Sequence, residues 1–210
     1  MRARPRSAYN VHGLSIWQLL AAKEVQKPKL HSQHFKKKSQ STVWNPPPMH
    51  LLKVNIDGDF FEKEKTGGWG FIVRDGDGHA LLAGSGRLQA VQDALCAEAQ
   101  AGLAALQALR TNGMLQCQRE PDSLCLVNAL QSEAYDNAPG GVFFMEMRDM
   151  IRFDFESVEV LYVPRSYNYV AHELARFSVG GDLDQFVIWT DPLPAFVIEY
   201  LGARLVASRS

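Results

Sequence analysis

Between Leu52 and Gly86 the chain passes through three extended segments separated only by turns, and no other stretch constrains the fold as strongly. Leu52, Val54 and Ile56 alternate with Lys53, Asn55 and Asp57, the period of a strand with one apolar face and a polar face that ends in a carboxylate. Residues 67–73 read as a second strand, Asp75-Gly76-Asp77-Gly78 as a hairpin turn and residues 80–86 as a third strand. The result is an antiparallel meander. Asp93 then suits a helix N-cap, and residues 94–109, rich in Ala, Leu and Gln, form a helix ended by Asn112-Gly113. A weaker strand over 114–120 follows, and Pro121-Asp122-Ser123 starts a second helix that runs through Gln131. After a loop at 137–141, a third helix over 142–153 carries Phe143, Met147, Met150 and Ile151 on its inner face. Residues 158–163 make a fifth strand broken by Pro164, and residues 168–179 a last helix stopped by Gly180-Gly181. The expected class is α/β with a five-stranded mixed sheet in the order βββαβααβα.

Charge divides the chain. Residues 1–50 hold nine Lys/Arg against one acid, Glu24, while residues 51–210 hold thirteen against twenty-two. The first segment, with Arg2, Arg4, Arg6, Lys36, Lys37, Lys38 and a stiff Trp44-Asn45-Pro46-Pro47-Pro48 spacer, reads as a basic, disordered tail, with a two-turn helix at 14–22 too short to stand alone. Residues 51–180 form the globular domain. Residues 181–210 form a C-terminal extension, a loop and a short amphipathic helix that straps onto it. No run approaches the roughly 18 apolar residues of a membrane helix, and no secretory signal opens the chain, so a membrane partner is not expected. Cys96, Cys117 and Cys125 are odd in number and lack CxxC spacing, which points to a reducing, intracellular compartment, and the chain is expected to be a monomer.

Three acids are candidates for chemistry. Glu98 falls beside the apolar stripe Leu95, Ala99, Gly102, Leu106 and Leu109 of the first helix, where an unpaired carboxylate is expensive and needs a partner or a metal. Asp57 ends the first strand's polar face, and alone would be an ordinary turn residue. Asp122 alone would be an ordinary N-cap. Their order, strand one, first helix, then the junction of strand four with the second helix, lets all three converge over the middle of one sheet. Carboxylates sharing a site repel unless a cation joins them, and hard oxygen ligands suit Mg²⁺ or Mn²⁺.

These residues stand in strings that resemble the ribonuclease H (RNase H) superfamily, in particular the plant domains related to the RNase H of non-LTR retroelements. The strings are Lys53-Val54-Asn55-Ile56-Asp57-Gly58, Gly68-Trp69-Gly70-Phe71-Ile72-Val73-Arg74-Asp75, Ala97-Glu98-Ala99, Asp122-Ser123-Leu124 with Val127-Asn128-Ala129-Leu130, Val163-Pro164-Arg165, and Asn168-Tyr169-Val170-Ala171-His172-Glu173-Leu174-Ala175. The resemblance spans residues 53–178 and implies a metal-dependent endonuclease that hydrolyses the RNA strand of RNA–DNA hybrids with two Mg²⁺ or Mn²⁺ ions. It implies that Asp57 bridges the ions, Glu98 holds the one near the leaving oxygen and Asp122 helps the one that activates water. The hybrid would be told from DNA by its 2′-hydroxyls.

Two departures bear on catalysis. Where the resemblance places a fourth acid, at the start of the last helix, this chain has His172, either a nitrogen ligand or a helix-end residue facing solvent or capping a carbonyl. Pro121 precedes Asp122 and removes a ladder donor, which is expected to shift that carboxylate. Residues 51–210 also lack a Lys-rich protrusion, so affinity for nucleic acid would lean on the tail. Trp69, Phe71, Tyr162 and Tyr169 are either base-stacking platforms or, more commonly for strand and helix aromatics, core. The alternative function is a catalytically lapsed RNase H-like fold kept as a nucleic-acid or protein interaction module.

Overall fold

The computed structural model of the protein describes residues 46–180, 186–190 and 192–207. The basic tail, with its helix at 14–22 and the Trp44-Asn45 half of the spacer, lies outside the described residues, as does 181–185. Strands β1 (Leu52–Phe61), β2 (Thr66–Arg74) and β3 (Ala80–Leu88) pair antiparallel as the alternation predicts. In the β2–β3 turn the Asp75 carboxylate accepts the Asp77 and His79 N–H groups at 3.0 and 2.8 Å, and Gly78 takes φ 85°.

Helix α1 (Ala94–Thr111) starts where Asp93 accepts the Cys96 N–H at 2.8 Å and ends at Asn112. It returns the chain to β4 (Gln116–Pro121), which lies parallel beside β1. Helices α2 (Leu124–Gln131) and α3 (Gly141–Asp154) lead to β5 (Ser157–Val160), parallel to β4, and α4 (Tyr169–Val179) follows. On the inner face of α3 it is Phe144, with Met147, Met150 and Ile151, that is fully in the core; Phe143 is only half-buried.

One element corrects the expected count. Phe186–Thr190, read from sequence as part of a loop, is a strand, β6, antiparallel to β3, so the sheet has six strands in the order β5-β4-β1-β2-β3-β6. Its five residues are too few to show a period, and all are half-buried, so pairing with the free edge of β3 rather than patterning makes the strand. The last helix, α5 (Ala195–Ala207), packs on α4. Among the described residues no helix is long and apolar enough to cross a membrane.

The two faces of the sheet carry separate cores. Val54, Ile56, Phe71, Val73 and Leu82 pack with Ala97, Leu106, Phe144 and Met147 on one face; Ile72 and Ala83 pack with Val170, Leu174 and Val197 on the other. Each large apolar side chain so buried contributes about 1.5–3 kcal/mol. Trp69 and Phe71 are core, stacked on each other with ring centroids 5.9 Å apart, and are not base-stacking platforms, while Tyr162 and Tyr169 pack half-buried.

Close approaches at two glycines decide where the helices meet β1. A Cβ on Gly58 would stand 2.4 Å from the Ala97 carbonyl carbon and the Glu98 nitrogen, so α1 lies directly on β1. On the opposite face a Cβ on Gly70, the β2 partner of Asp57, would stand 2.4 Å from the Ala171 oxygen and the Ala175 nitrogen of α4. Helix α1 therefore closes on β1 at Gly58 and α4 on β2 at Gly70, beside Asp57, one from each side.

Candidate functional site

β4 ends at Pro121, opposite Ile56, whereas β1 runs on to Phe61. From Asp57 onward β1 has an open flank, at the carboxyl end of the parallel β1–β4 pair where α/β sheets present ligand sites. Pro121 does not displace Asp122 from this flank. It occupies the last rung of β4, where the missing N–H interrupts no further pairing, and its carbonyl accepts the Val163 N–H at 3.1 Å.

Asp122 is not the helix cap that its position suggested. Ser123 caps α2 instead, accepting the Leu126 N–H at 3.2 Å, and the Asp122 carboxylate turns to the open flank. Glu98 sits on the second turn of α1 and takes a hydrogen bond from the Gly58 N–H. The three acids converge: one oxygen each of Asp57, Glu98 and Asp122 lie within 4.8 Å of one another.

The site is electrostatically strained. Asp57 is 2% exposed and Glu98 9%. Burial, and then the charges of Asp57 and Asp122, hold the Glu98 carboxyl well above its ordinary range, and its Oε2 has no hydrogen-bond partner among the described residues. Burial and Asp57 push Asp122 up to about 6, against the opposing pull of Arg165 and Asn168.

His172 neither faces away nor caps a carbonyl. On the first turn of α4, its Nδ1 lies 2.8 Å from Asp57 Oδ2, a hydrogen bond that raises the imidazole above its usual range. It joins the three acids through Asp57. Arg165 also approaches the cluster, with Nε 4.0 Å from Asp122 Oδ2 and a side chain 74% exposed. Arg148 of α3 bonds the Ala129 carbonyl at 2.8 Å and pairs with Asp136, and Arg110 of α1 pairs with Asp154 at 2.8 Å, so both are committed elsewhere. A second gathering of Asp75, Asp77 and His79 is the exposed hairpin turn, whose Asp75 carboxylate already serves two backbone N–H groups.

Two residues at the site carried no assigned role in the sequence reading, Arg165 and Asn168. An Asn before an apolar-periodic helix reads as an N-cap. Here its side chain makes no capping bond, and nothing local in the sequence records that it turns away from its helix.

The family described as "Reverse transcriptase-like" matches residues 55–178, more than half of the chain. Among curated proteins nothing matches. Solved structures with a similar fold include RNase H1 from the halophilic archaeon Halobacterium salinarum, at 22% identity and TM-score 0.57, covering 61% of this chain and 97% of that one. The N-terminal RNase H domain of a Mycobacterium tuberculosis protein matches at 19% identity and TM-score 0.55, covering 61% of this chain and 98% of that one. LC11 RNase H1, isolated from compost by a metagenomic approach and solved in complex with an RNA/DNA hybrid, matches at 19% identity and TM-score 0.54, covering 61% and 96%. At these identities the likeness is one of fold.

Proposed function

This chain belongs to the Reverse transcriptase-like family, within the RNase H superfamily, and from that premise we propose that it is a metal-dependent endonuclease that hydrolyses the RNA strand of RNA–DNA hybrids. The observation that carries the reading is the convergence of Asp57, Glu98 and Asp122, each from a different element, within 4.8 Å. The donor set fits a hard divalent cation such as Mg²⁺ or Mn²⁺: it is all carboxylate, two members hold protons abnormally tightly, and the buried Glu98 Oε2 lacks a partner. Asp57, Glu98 and Asp122 would hold the metal. A divalent cation so held lowers the pKa of an attacking water and offsets charge on a leaving oxygen.

The chain's own contribution is to orient and to exclude. Gly58 lets α1 close on β1 and Gly70 lets α4 close on β2 beside Asp57, so that the carboxylates are shielded from water on both faces of the sheet. His172 donates Nδ1–H to Asp57 Oδ2 and fixes that carboxylate's orientation. Arg165, exposed beside Asp122, offers a guanidinium to a substrate phosphate. Bulk affinity for the hybrid is drawn from the basic residues 1–50, because the remainder of the chain is acidic. A hybrid substrate is supported by the fold shared with LC11 RNase H1, whose structure holds one.

His172 favours a second reading, a lapsed fold that binds without cutting, since an imidazole brings no negative charge to the site. Incubation of the full chain with a labelled hybrid, in Mg²⁺ and then in Mn²⁺ with Asp57→Asn as the blank, separates the two. Cleavage by the native chain and none by the variant is expected; tight binding with no cleavage in either metal would establish the second reading.

A further inference from the structure

Three helices of this domain are preceded by residues suited to capping, and one does not cap. Asp93 and Ser123 take extended backbone conformations and accept N–H groups of their own helices at 2.8 and 3.2 Å. Asn168, before α4, has φ −99° and ψ 11°, and its side chain makes no capping bond, although its carbonyl accepts the first helical N–H, from His172, at 3.0 Å. Leaving the cap unmade forgoes helix stability, so the amide's other contacts matter.

Those contacts lead to the site. The Asn168 side chain is completely buried. Nδ2 donates to the Ile56 carbonyl at 2.5 Å, the peptide that leads directly into Asp57. Ile56 lies opposite Pro121, whose ring nitrogen has no hydrogen to give. The Asn168 side chain also lies beside the Asp122 carboxylate and pulls against the rise in its pKa. The Ile56 carbonyl requires an N–H donor, which fixes the amide's orientation, and the Oδ1 atom is without a partner among the described residues. One side chain thus ties together the end of β1, the residue after β4 and the start of the helix that carries His172.

We propose that Asn168 is the positioning residue of the carboxylate site: its buried amide fixes Asp122 against the Ile56–Asp57 peptide, and so sets the affinity of the three carboxylates for a divalent cation. The inference rests on the metal-dependent reading of that site. Partners that hold metal-binding carboxylates in place typically account for 10–100-fold in affinity.

The test reads metal binding rather than cleavage. Free Mn²⁺ is followed by electron paramagnetic resonance during titration of the full chain, native and Asn168→Ala, with thermal unfolding in EDTA measured alongside. The apparent Kd is expected to rise 10–100-fold in the variant while it remains folded. In an Asp122→Asn background the same replacement is expected to have a much smaller effect, because the group through which Asn168 acts has been altered. A variant that melts lower yet binds Mn²⁺ as the native chain does would reduce Asn168 to a structural residue and overturn the proposal. If Asn168→Ala does not fold, Asn168→Leu, of similar volume and without a donor, carries the test, and native affinity there overturns the proposal equally. Failure of the native chain itself to bind Mn²⁺ at millimolar concentration would instead overturn the metal-dependent reading, and the role of Asn168 with it.

Discussion

Two buried polar clusters lie on the same pair of strands, one rung apart, and they are built on opposite principles. Within the β1–β4 ladder Lys53 meets Glu120 at 2.8 Å, Asn55 donates to Glu120 at 3.2 Å, and Arg74 donates to Asn55 at 2.5 Å. There the buried acid is met by cations of the chain itself. Just past the last rung, Asp57 and Asp122 face Glu98 across the open flank, with a hydrogen-bonded imidazole and one distant, exposed guanidinium as company. In the first cluster the buried acid has cations of the same chain beside it; in the second the acids face one another, and Glu98 and Asp122 are raised for it.

The largest expected effect of breaking this contrast is on activity. Asp57→Asn should abolish hybrid cleavage, a loss of about a thousandfold or more, since several kcal/mol of metal-derived stabilisation depends on that carboxylate. In EDTA the same variant should melt at or slightly above the native temperature, because it removes charge from a repelling set. A melting temperature several degrees lower, with cleavage unchanged, would show Asp57 to be structural.

The balanced cluster should answer the opposite way. Lys53→Met leaves Glu120 buried beside Asn55 without its ion-pair partner, and breaking one side of a buried pair costs about 3–5 kcal/mol. Urea unfolding in EDTA measures it. A cost within about 0.5 kcal/mol, the range of ordinary surface substitutions, would mean that the two clusters are not energetically distinct.

Most of this architecture was legible because its signals are local. The alternation of Leu52 to Asp57, the caps at Asp93 and Asn112, and the small residue at Gly102, where a Cβ would stand 2.5 Å from Arg119, are each written in a few neighbouring residues. What was not legible depends on partners distant in sequence. β6 exists because β3 has a free edge. Arg119 alternates onto the apolar face of β4 and is fully buried against Met147, its guanidinium pulled down to about 10 by burial, and no periodicity predicts an arginine there. Asp122 and Asn168 both look like helix caps, and only the fold shows that Ser123 relieves one of that duty and that α4 does without it. The convergence of the acids was inferable from their order; the imidazole hydrogen-bonded to Asp57 was open between two readings and matches neither fully.

The metal-free protein should also report its strain through pH. The Asp122 carboxyl is pushed from 3.8 up to about 6 in the fold, burial holds Glu98 well above its ordinary range, and Asp57 raises His172. In each case the folded state binds protons more tightly, so this stability is present at low pH and is lost as pH rises through the folded values. In EDTA, the melting temperature should therefore fall by a few degrees between pH 5 and pH 7.5, and Asp122→Asn should flatten the slope. A native stability that instead rises steadily across this interval would mean that the three acids are not electrostatically strained.

The smallest effect, and the one that sharpens the contrast most, is expected from His172→Asp. His172 reaches the cluster only through Asp57, at 2.8 Å, and supplies a nitrogen where the resemblance to RNase H places an acid. A carboxylate there adds negative charge for a divalent cation and removes a donor that competes for Asp57 Oδ2. Hard oxygen ligands favour Mg²⁺, whereas Mn²⁺ accepts nitrogen readily. The native chain should therefore cleave better with Mn²⁺, and His172→Asp should raise the Mg²⁺-dependent rate severalfold, lower the metal concentration required and erase the Mn²⁺ preference. In EDTA the variant should be less stable than the native chain, because a fourth acid joins a set that already repels itself. Rate and metal preference both unchanged, with only the EDTA stability altered, would show that His172 orients Asp57 and nothing more, leaving the three carboxylates as the whole of the metal-binding set.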